Sequence, residues 1–262
     1  MTRAMRRPIA TLTLLLVSAC SLGDHFSPRV WGDAVMTQIE RPSQLALEGG
    51  LLAATAVAAV GDHRWQAESF EDQSITQGDT KQGDATATGL AALALGLGIG
   101  EWIDGDDGHS TAVLFESFLL TEGATELLKH TVRRQRPGKS SKSSFPSGHT
   151  SFAFAMAAFL QRRIGDLADG WVGDLGYLAY LPAAYVGIDR SEANRHWPSD
   201  IAFGAFLGVL LTNVVYDAHH GTPDRHGLFG MRGLTLEPSV AAFDDDGEPS
   251  DFGVGLSLVW RH

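Results

Sequence analysis

Three short stretches in the second half of the chain carry residue types suited to phosphate chemistry. In Lys129-His130-Thr131-Val132-Arg133-Arg134-Gln135-Arg136-Pro137, Lys129 and Arg136 stand seven residues apart. That is about two helical turns, so both can face one side at a helix end. Cations converging on one spot need an anion, and phosphate is the natural candidate. In Pro146-Ser147-Gly148-His149, a turn of small residues opens into the apolar run 152–160. Such a turn offers free backbone amides and the positive end of a helix dipole. Gly148 lets the backbone come close to a ligand, the Ser147 hydroxyl can donate, and His149 supplies a titratable proton. In Arg190-Ser191-Glu192-Ala193-Asn194-Arg195-His196-Trp197-Pro198-Ser199-Asp200, Arg190 adds a third cation. Pro198 suits a first helical turn, and Asp200 follows His196 by four residues. Asp200 is then placed to accept from one ring nitrogen and leave the other free to attack.

Taken singly, each stretch has a plain structural explanation. A basic run compensates a helix C-terminus, Pro-Ser-Gly-His starts a helix, and a His/Asp pair makes a hydrogen bond. Together they form an oxyanion cradle with a nucleophile on one side and an acid on the other.

Six helices are expected to position these groups, over 43–60, 85–100, 111–134, 149–164, 171–188 and 198–218. The first should end at Gly61-Asp62, a plausible C-cap, before a polar loop over 61–84. Pro137 should end the third helix by biasing Arg136 away from helical geometry. The longest uncharged runs, 85–100 and 201–216, fall short of the ~18 apolar residues of a spanning helix, so a water-soluble bundle is expected. After it, Gly233 to Ala242 and Phe252 to Trp260 alternate apolar and polar residues around Asp244-Asp245-Asp246-Gly247, a pattern for a short C-terminal β-hairpin.

The whole chain of 262 residues is 44% hydrophobic and 19% charged, which excludes disorder, and it is long enough for one substantial core. Its net charge of −11 argues against general nucleic-acid binding. One cysteine excludes a disulfide framework and a cysteine-rich zinc site. The cysteine is informative by position. Arg3, Arg6 and Arg7 precede an uncharged stretch from Ile9 to Ala19, and Val17-Ser18-Ala19 leads directly into Cys20. This resembles the lipobox of bacterial lipoproteins. It implies a signal peptide over 1–19, a lipidated Cys20 with a tether over 20–42, and a place in the cell envelope, with Ser21 directing sorting to the outer membrane. Ordinary signal cleavage, leaving Cys20 as a free thiol, is the alternative.

Lys129-x6-Arg136-Pro137, Pro146-Ser147-Gly148-His149 and Arg190-x5-His196-x3-Asp200 resemble the three-part signature of the type 2 phosphatidic acid phosphatase (PAP2) superfamily. That superfamily also contains non-specific acid phosphatases and vanadium haloperoxidases. The resemblance covers roughly 43–218 and implies a mainly α fold, a six-helix PAP2-type bundle within a phosphatase domain over 43–222, followed by a hairpin extension over 223–262. It also implies roles. Lys129, Arg136, Ser147, Gly148 and Arg190 hold the phosphoryl oxygens, and His196 attacks phosphorus to give a phosphohistidine. Asp200 holds the His196 ring, while His149 protonates the leaving alcohol and then activates water. The expected substrate is a phosphorylated small molecule or lipid. No metal or cofactor is implied, and vanadate should inhibit; it becomes a cofactor only if the chain is a haloperoxidase. A non-catalytic lipoprotein that binds phosphorylated lipid is the other alternative. One departure from the signature is Asp189, where Ser usually precedes the arginine. Its carboxylate could orient Arg190 or repel phosphate.

Other clusters read as structure. Asp104-Gly105-Asp106-Asp107-Gly108-His109 lacks the spacing of a calcium loop. His219, His220, Asp224 and His226 read as a polar linker, and Trp65, Trp102 and Trp197 as packing residues.

Overall fold

The computed structural model describes residues 27–71, 80–105, 108–168, 170–221, 234–242 and 252–260. The signal, Cys20 and the acidic turn 244–247 therefore lie outside the described residues. The elements are α1 (Pro28–Glu40), α2 (Pro42–Glu71), α3 (Lys81–Asp104), α4 (His109–Val132), α5 (Gly148–Leu167), the four-residue α6 (Trp171–Asp174), a 3₁₀ turn (Leu175–Ala179), α7 (Tyr180–Glu192), α8 (Pro198–His220), and strands β1 (Leu234–Ala242) and β2 (Phe252–Trp260). Three of the helices, α1, α2 and α8, begin on proline, whose missing amide proton costs nothing in a first turn.

This corrects the expectation of a six-helix bundle closed by a hairpin. Among the described residues there are seven helices of 13 residues or more, plus the single turn α6. The seventh is α1, which falls where a tether was expected; its Ala34, Met36, Thr37, Gln38 and Glu40 are buried. Gly61-Asp62 does not cap α2, which continues to Glu71. The stretch 171–188 is broken into α6, the 3₁₀ turn and α7. α4 stops at Val132, before Pro137 can act, because Arg133 turns left-handed (φ 51°) and its amide closes on the Lys129 carbonyl. The two strands pair antiparallel from Leu234 opposite Trp260 to Ala242 opposite Phe252. Their connection over 243–251 lies outside the described residues, so the expected hairpin is not seen among them.

The chain divides into two compact units, one comprising Arg41–Tyr216 and the other the flanking segments. In the flanking unit, α1 packs on β1, and the Gln38 side-chain amide donates to Asp217 at 2.8 Å. In the larger unit α5 is central. Ala153 to Leu160 are all buried, and the helix packs against α3, α4, the 3₁₀ turn and α7. α8 approaches it through glycine. A Cβ on Gly204 would fall 2.7 Å from the Ser147 carbonyl oxygen, and one on Gly208 would fall 2.9 Å from the Ala155 amide nitrogen. Both positions exclude any larger residue, so the first turn of α5 is held directly by the backbone of α8.

The water-soluble expectation is also corrected. Pro42–Asp62, Lys81–Asp104 and Pro198–His220 are each long and apolar enough to cross a membrane. In the first two, only 11% and 22% of the most apolar window is buried by the protein itself. Large apolar side chains such as Val57, Val60, Leu93 and Ile103 therefore face outward. Apolar side chains left unburied in this number mark surfaces that meet lipid or protein. A count of uninterrupted uncharged residues misses these helices because it stops at single carboxylates near their ends, Glu48 and Asp62, Asp84 and Glu101, Asp200 and Asp217. Here the Thr55, Thr86 and Thr88 hydroxyls donate back to the carbonyls of Leu51, Gln82 and Asp84, so their polarity is spent inside the helix. The chain is membrane-associated.

Candidate active site

The cradle forms where α5 begins. Gly148, His149 and Thr150 occupy its first turn, where amides have no acceptor within the helix. Lys129, in the last turn of α4, reaches across to this turn. A Cβ on Gly148 would lie 2.9 Å from the Lys129 ammonium nitrogen, so a side chain there would displace the cation from its present position. The ammonium is also held by Glu126 at 2.6 Å. Lys129, Gly148 and His149 line one cavity of about 370 Å³ together with Asp84, Ala87, Thr88, Phe118, Glu122 and Phe152.

Arg190 comes from the last turn of α7 and is almost wholly buried. Its guanidinium bonds Asp84 of α3, and the same carboxylate oxygen, Oδ1, lies 3.2 Å from His149 Nε2. Asp189 lies beside it, with Oδ2 3.7 Å from Arg190 Nε. Of the two possibilities for Asp189, the geometry is that of a carboxylate paired with the arginine. Arg136 lines a neighbouring cavity of about 250 Å³, with Asp62, Arg134, Gln135, Pro137, Lys139 and Trp197, rather than the Lys129 cavity. Its charge still reaches both histidines. Arg136 and Lys129 act with burial to lower the proton affinity of His196 and of His149, and Arg190 adds to the effect on His149. Arg136 is itself pushed down by burial and by the charges of Arg195 and Arg190. Arg195, which spacing alone did not single out, is thus a further cation of the cluster.

His196 is buried, and its Nδ1 lies 2.7 Å from the Ser144 backbone carbonyl. A carbonyl can only accept, so Nδ1 carries the proton and the lone pair sits on Nε2. Burial is the main cause that pushes this imidazole down to about 3, and the Ser144 carbonyl opposes it. The ring is therefore neutral at ordinary pH, with one nitrogen ready to attack.

Two expectations need correction. Asp200 does not hold the His196 ring. It accepts from the Ser144 hydroxyl, from Arg134 at 2.7 Å and from the Trp197 amide at 2.9 Å, so it acts on His196 only through Ser144. As the third residue of α8, Asp200 points its carboxylate back at the helix start, where it accepts from the Trp197 amide. Nor is the Ser147 hydroxyl aimed into the cavity. It is fully buried against the Thr150 hydroxyl at 2.8 Å, and the Ser147 amide donates to the Asp200 carbonyl at 3.0 Å.

Sequence spacing also missed Asp62, Asp84, Arg134 and Ser144. Arg134 bridges Asp200 and Asp62 (2.7 and 2.6 Å) and stacks on Trp197 at 5.3 Å, while Asp62 also receives the Ser199 hydroxyl. These groups lie 52 to 137 residues from the partners that tie them to the site. The one local signal was Asp84 as a first-turn carboxylate of α3, bonded by Thr80.

A second, apolar cavity of about 180 Å³ adjoins the first. Ala91, Leu95, Leu114, Phe115 and Met156 line it together with Phe118 and Phe152, which line both cavities and meet edge to face at 5.8 Å.

The chain matches the model of the PAP2 superfamily over residues 110–223. It is 36% identical over 97 residues to the lipid A 1-phosphatase of Porphyromonas gingivalis, covering 37% of this chain and 21% of that protein. It is 34% identical over 90 residues to a probable diacylglycerol pyrophosphate phosphatase of Schizosaccharomyces pombe, covering 32% of each. The chain thus spans a fifth to a third of the length of these curated relatives. Among solved structures, it resembles a transmembrane PAP2-type phosphatidylglycerolphosphate phosphatase from Bacillus subtilis at 22% identity and a TM-score of 0.38, over 84% of this chain and 99% of that one.

Proposed function

We propose, from the match of residues 110–223 to the PAP2 superfamily, that the chain is a membrane-associated phosphatase that releases phosphate from lipid phosphates in the cell envelope through a phosphohistidine. The observation that carries this reading is that Lys129 and Arg136 act on two imidazoles with opposite duties, His196 and His149, and Arg190 on the second. His196 is buried, neutral and free at Nε2, whereas His149 borders the open cavity.

Nε2 of His196 attacks phosphorus as the bond to the leaving oxygen breaks, and His149 gives that oxygen its proton. Water then attacks the phosphohistidine. His149 takes a proton from it, the N–P bond breaks, and phosphate leaves. Lys129, Arg190 and the first amides of α5 carry the charge on the equatorial oxygens, with Arg136 adding field from behind. Those cations supply the stabilisation a metal ion would otherwise give, so activity should survive chelators and yield to vanadate.

The apolar cavity supports a lipid substrate. It starts at the same two phenylalanines and touches α3 at Ala91 and Leu95; with the first cavity, which begins at Asp84, the two follow α3 for about 16 Å at helical rise, so a phosphate at one end leaves apolar room for the start of a hydrocarbon tail at the other. Lipid A and diacylglycerol pyrophosphate, in the names of the relatives, are molecules of this kind. The test is phosphate release by the full chain in detergent from a panel of lipid and soluble phosphoesters, against His196→Ala. Lipid phosphates should lead the panel, and His196→Ala should release none. Equal turnover of soluble esters removes the lipid assignment, and activity in His196→Ala removes the mechanism.

A further inference from the structure

Asp84 has no role in the reaction just described, yet it sits in the middle of the site. Its Oδ1 bonds the Arg190 guanidinium and approaches His149 Nε2 at 3.2 Å. The other oxygen, Oδ2, is held at 3.3 Å by the Thr80 hydroxyl. An oxygen that touches a phosphate-binding arginine and the acid histidine at once stands where an oxygen of the substrate must go. The carboxylate is not locked in. Its side chain is 48% exposed, against 6% for Arg190, so it can swing out while the arginine stays. Arg190 keeps a second partner in Asp189, whose side chain is only 11% exposed. Gly83 makes that arrangement possible, since a Cβ there would fall 2.7 Å from Asp189 Cγ.

We propose that Asp84 is a displaceable stand-in for a phosphoryl oxygen, which lowers the affinity of the site for small anions and holds the proton of His149 until substrate takes over both contacts. The proposal rests on the phosphatase reading of the site. A substrate anchored by a tail displaces the carboxylate with binding energy gained elsewhere, whereas free phosphate has no such help. The charged groups facing His149 are Asp84 of α3, Glu122 and Lys129 of α4, Arg136 between α4 and α5, and Arg190 of α7. Burial and the three cations lower its proton affinity, and Asp84 opposes them.

The experiment is calorimetric binding of orthophosphate to the detergent-solubilised full chain and its variants. Asp84→Asn should bind phosphate about fivefold more tightly, the scale of a partly exposed ion pair. Thr80→Val, which frees Oδ2, should tighten it by a smaller factor and decides the matter if Asp84→Asn does not fold. Asp174→Asn, the same charge change on the exposed α6, should stay within twofold of wild type. In turnover, the alkaline limb of kcat/KM should move to lower pH in Asp84→Asn, because His149 loses the anion that favours its proton; a purely structural role would leave that limb in place. Unchanged or weaker phosphate binding by folded Asp84→Asn overturns the proposal, as does equal tightening by Asp174→Asn. The binding arm needs no turnover, so it stands or falls separately from the assignment of lipid phosphatase activity.

Discussion

His196 owes its readiness to a backbone carbonyl. Ser144 presents that carbonyl to Nδ1, and the Ser144 hydroxyl is tied to Asp200, which Arg134 holds in turn. Removing either side chain should loosen the same peptide, so the two losses should not add. Ser144→Ala and Asp200→Asn are each expected to lower kcat about tenfold or more with little change in KM, and the double variant to be no worse than Asp200→Asn alone. Multiplying losses would show that Asp200 acts on the reaction by another route. At this scale the sequence singled out the residues that the proposed chemistry uses, because Lys129, His149, Arg190 and His196 sit in short local patterns. It did not disclose their partners. The Ser144 contact spans 52 residues and uses a main-chain atom, which no spacing rule encodes.

At the level of elements, the placement of α5 decides the placement of the cradle. Its first turn lies against the backbone of α8 at Gly204, one helical turn before the similar approach at Gly208. Gly204→Ala should force the Ser147 carbonyl away, destabilise the fold by about 1–3 kcal/mol and lower kcat, measurable as a drop in Tm alongside the rate. The same substitution at Gly89, where nothing lies within 4 Å of a new Cβ, should leave Tm unchanged or slightly raised. Equal behaviour at the two sites would mean that α8 does not set the cradle. Apolar content located α3, α4, α5 and α8, each a long and largely apolar stretch. It misjudged ends set by single residues, such as left-handed Arg133, and it lost α1, whose buried set includes Thr37, Gln38 and Glu40. A helix that buries polar groups against specific partners reads as a tether when only hydrophobicity is followed.

For the whole molecule, two attachments to the membrane are in question, the lipidated Cys20 read from the sequence and the three helices long enough to span. They can be separated. With spanning helices, Cys20→Ser should stay in the membrane pellet after an alkaline carbonate wash and leave only with detergent. Release of Cys20→Ser by carbonate would make the acyl chains the anchor and the outward-facing side chains of α2 and α3 a protein-binding surface.

The central claim is that His196 carries the phosphoryl group. The direct measurement is to mix the full chain with a lipid phosphate labelled at phosphorus, quench in alkaline detergent, and map the labelled peptide by mass spectrometry. The predicted result is a label stable to alkali, lost in acid, located on His196 and absent from His196→Ala. A label on any other residue, or phosphate release by His196→Ala at the wild-type rate, would contradict the account.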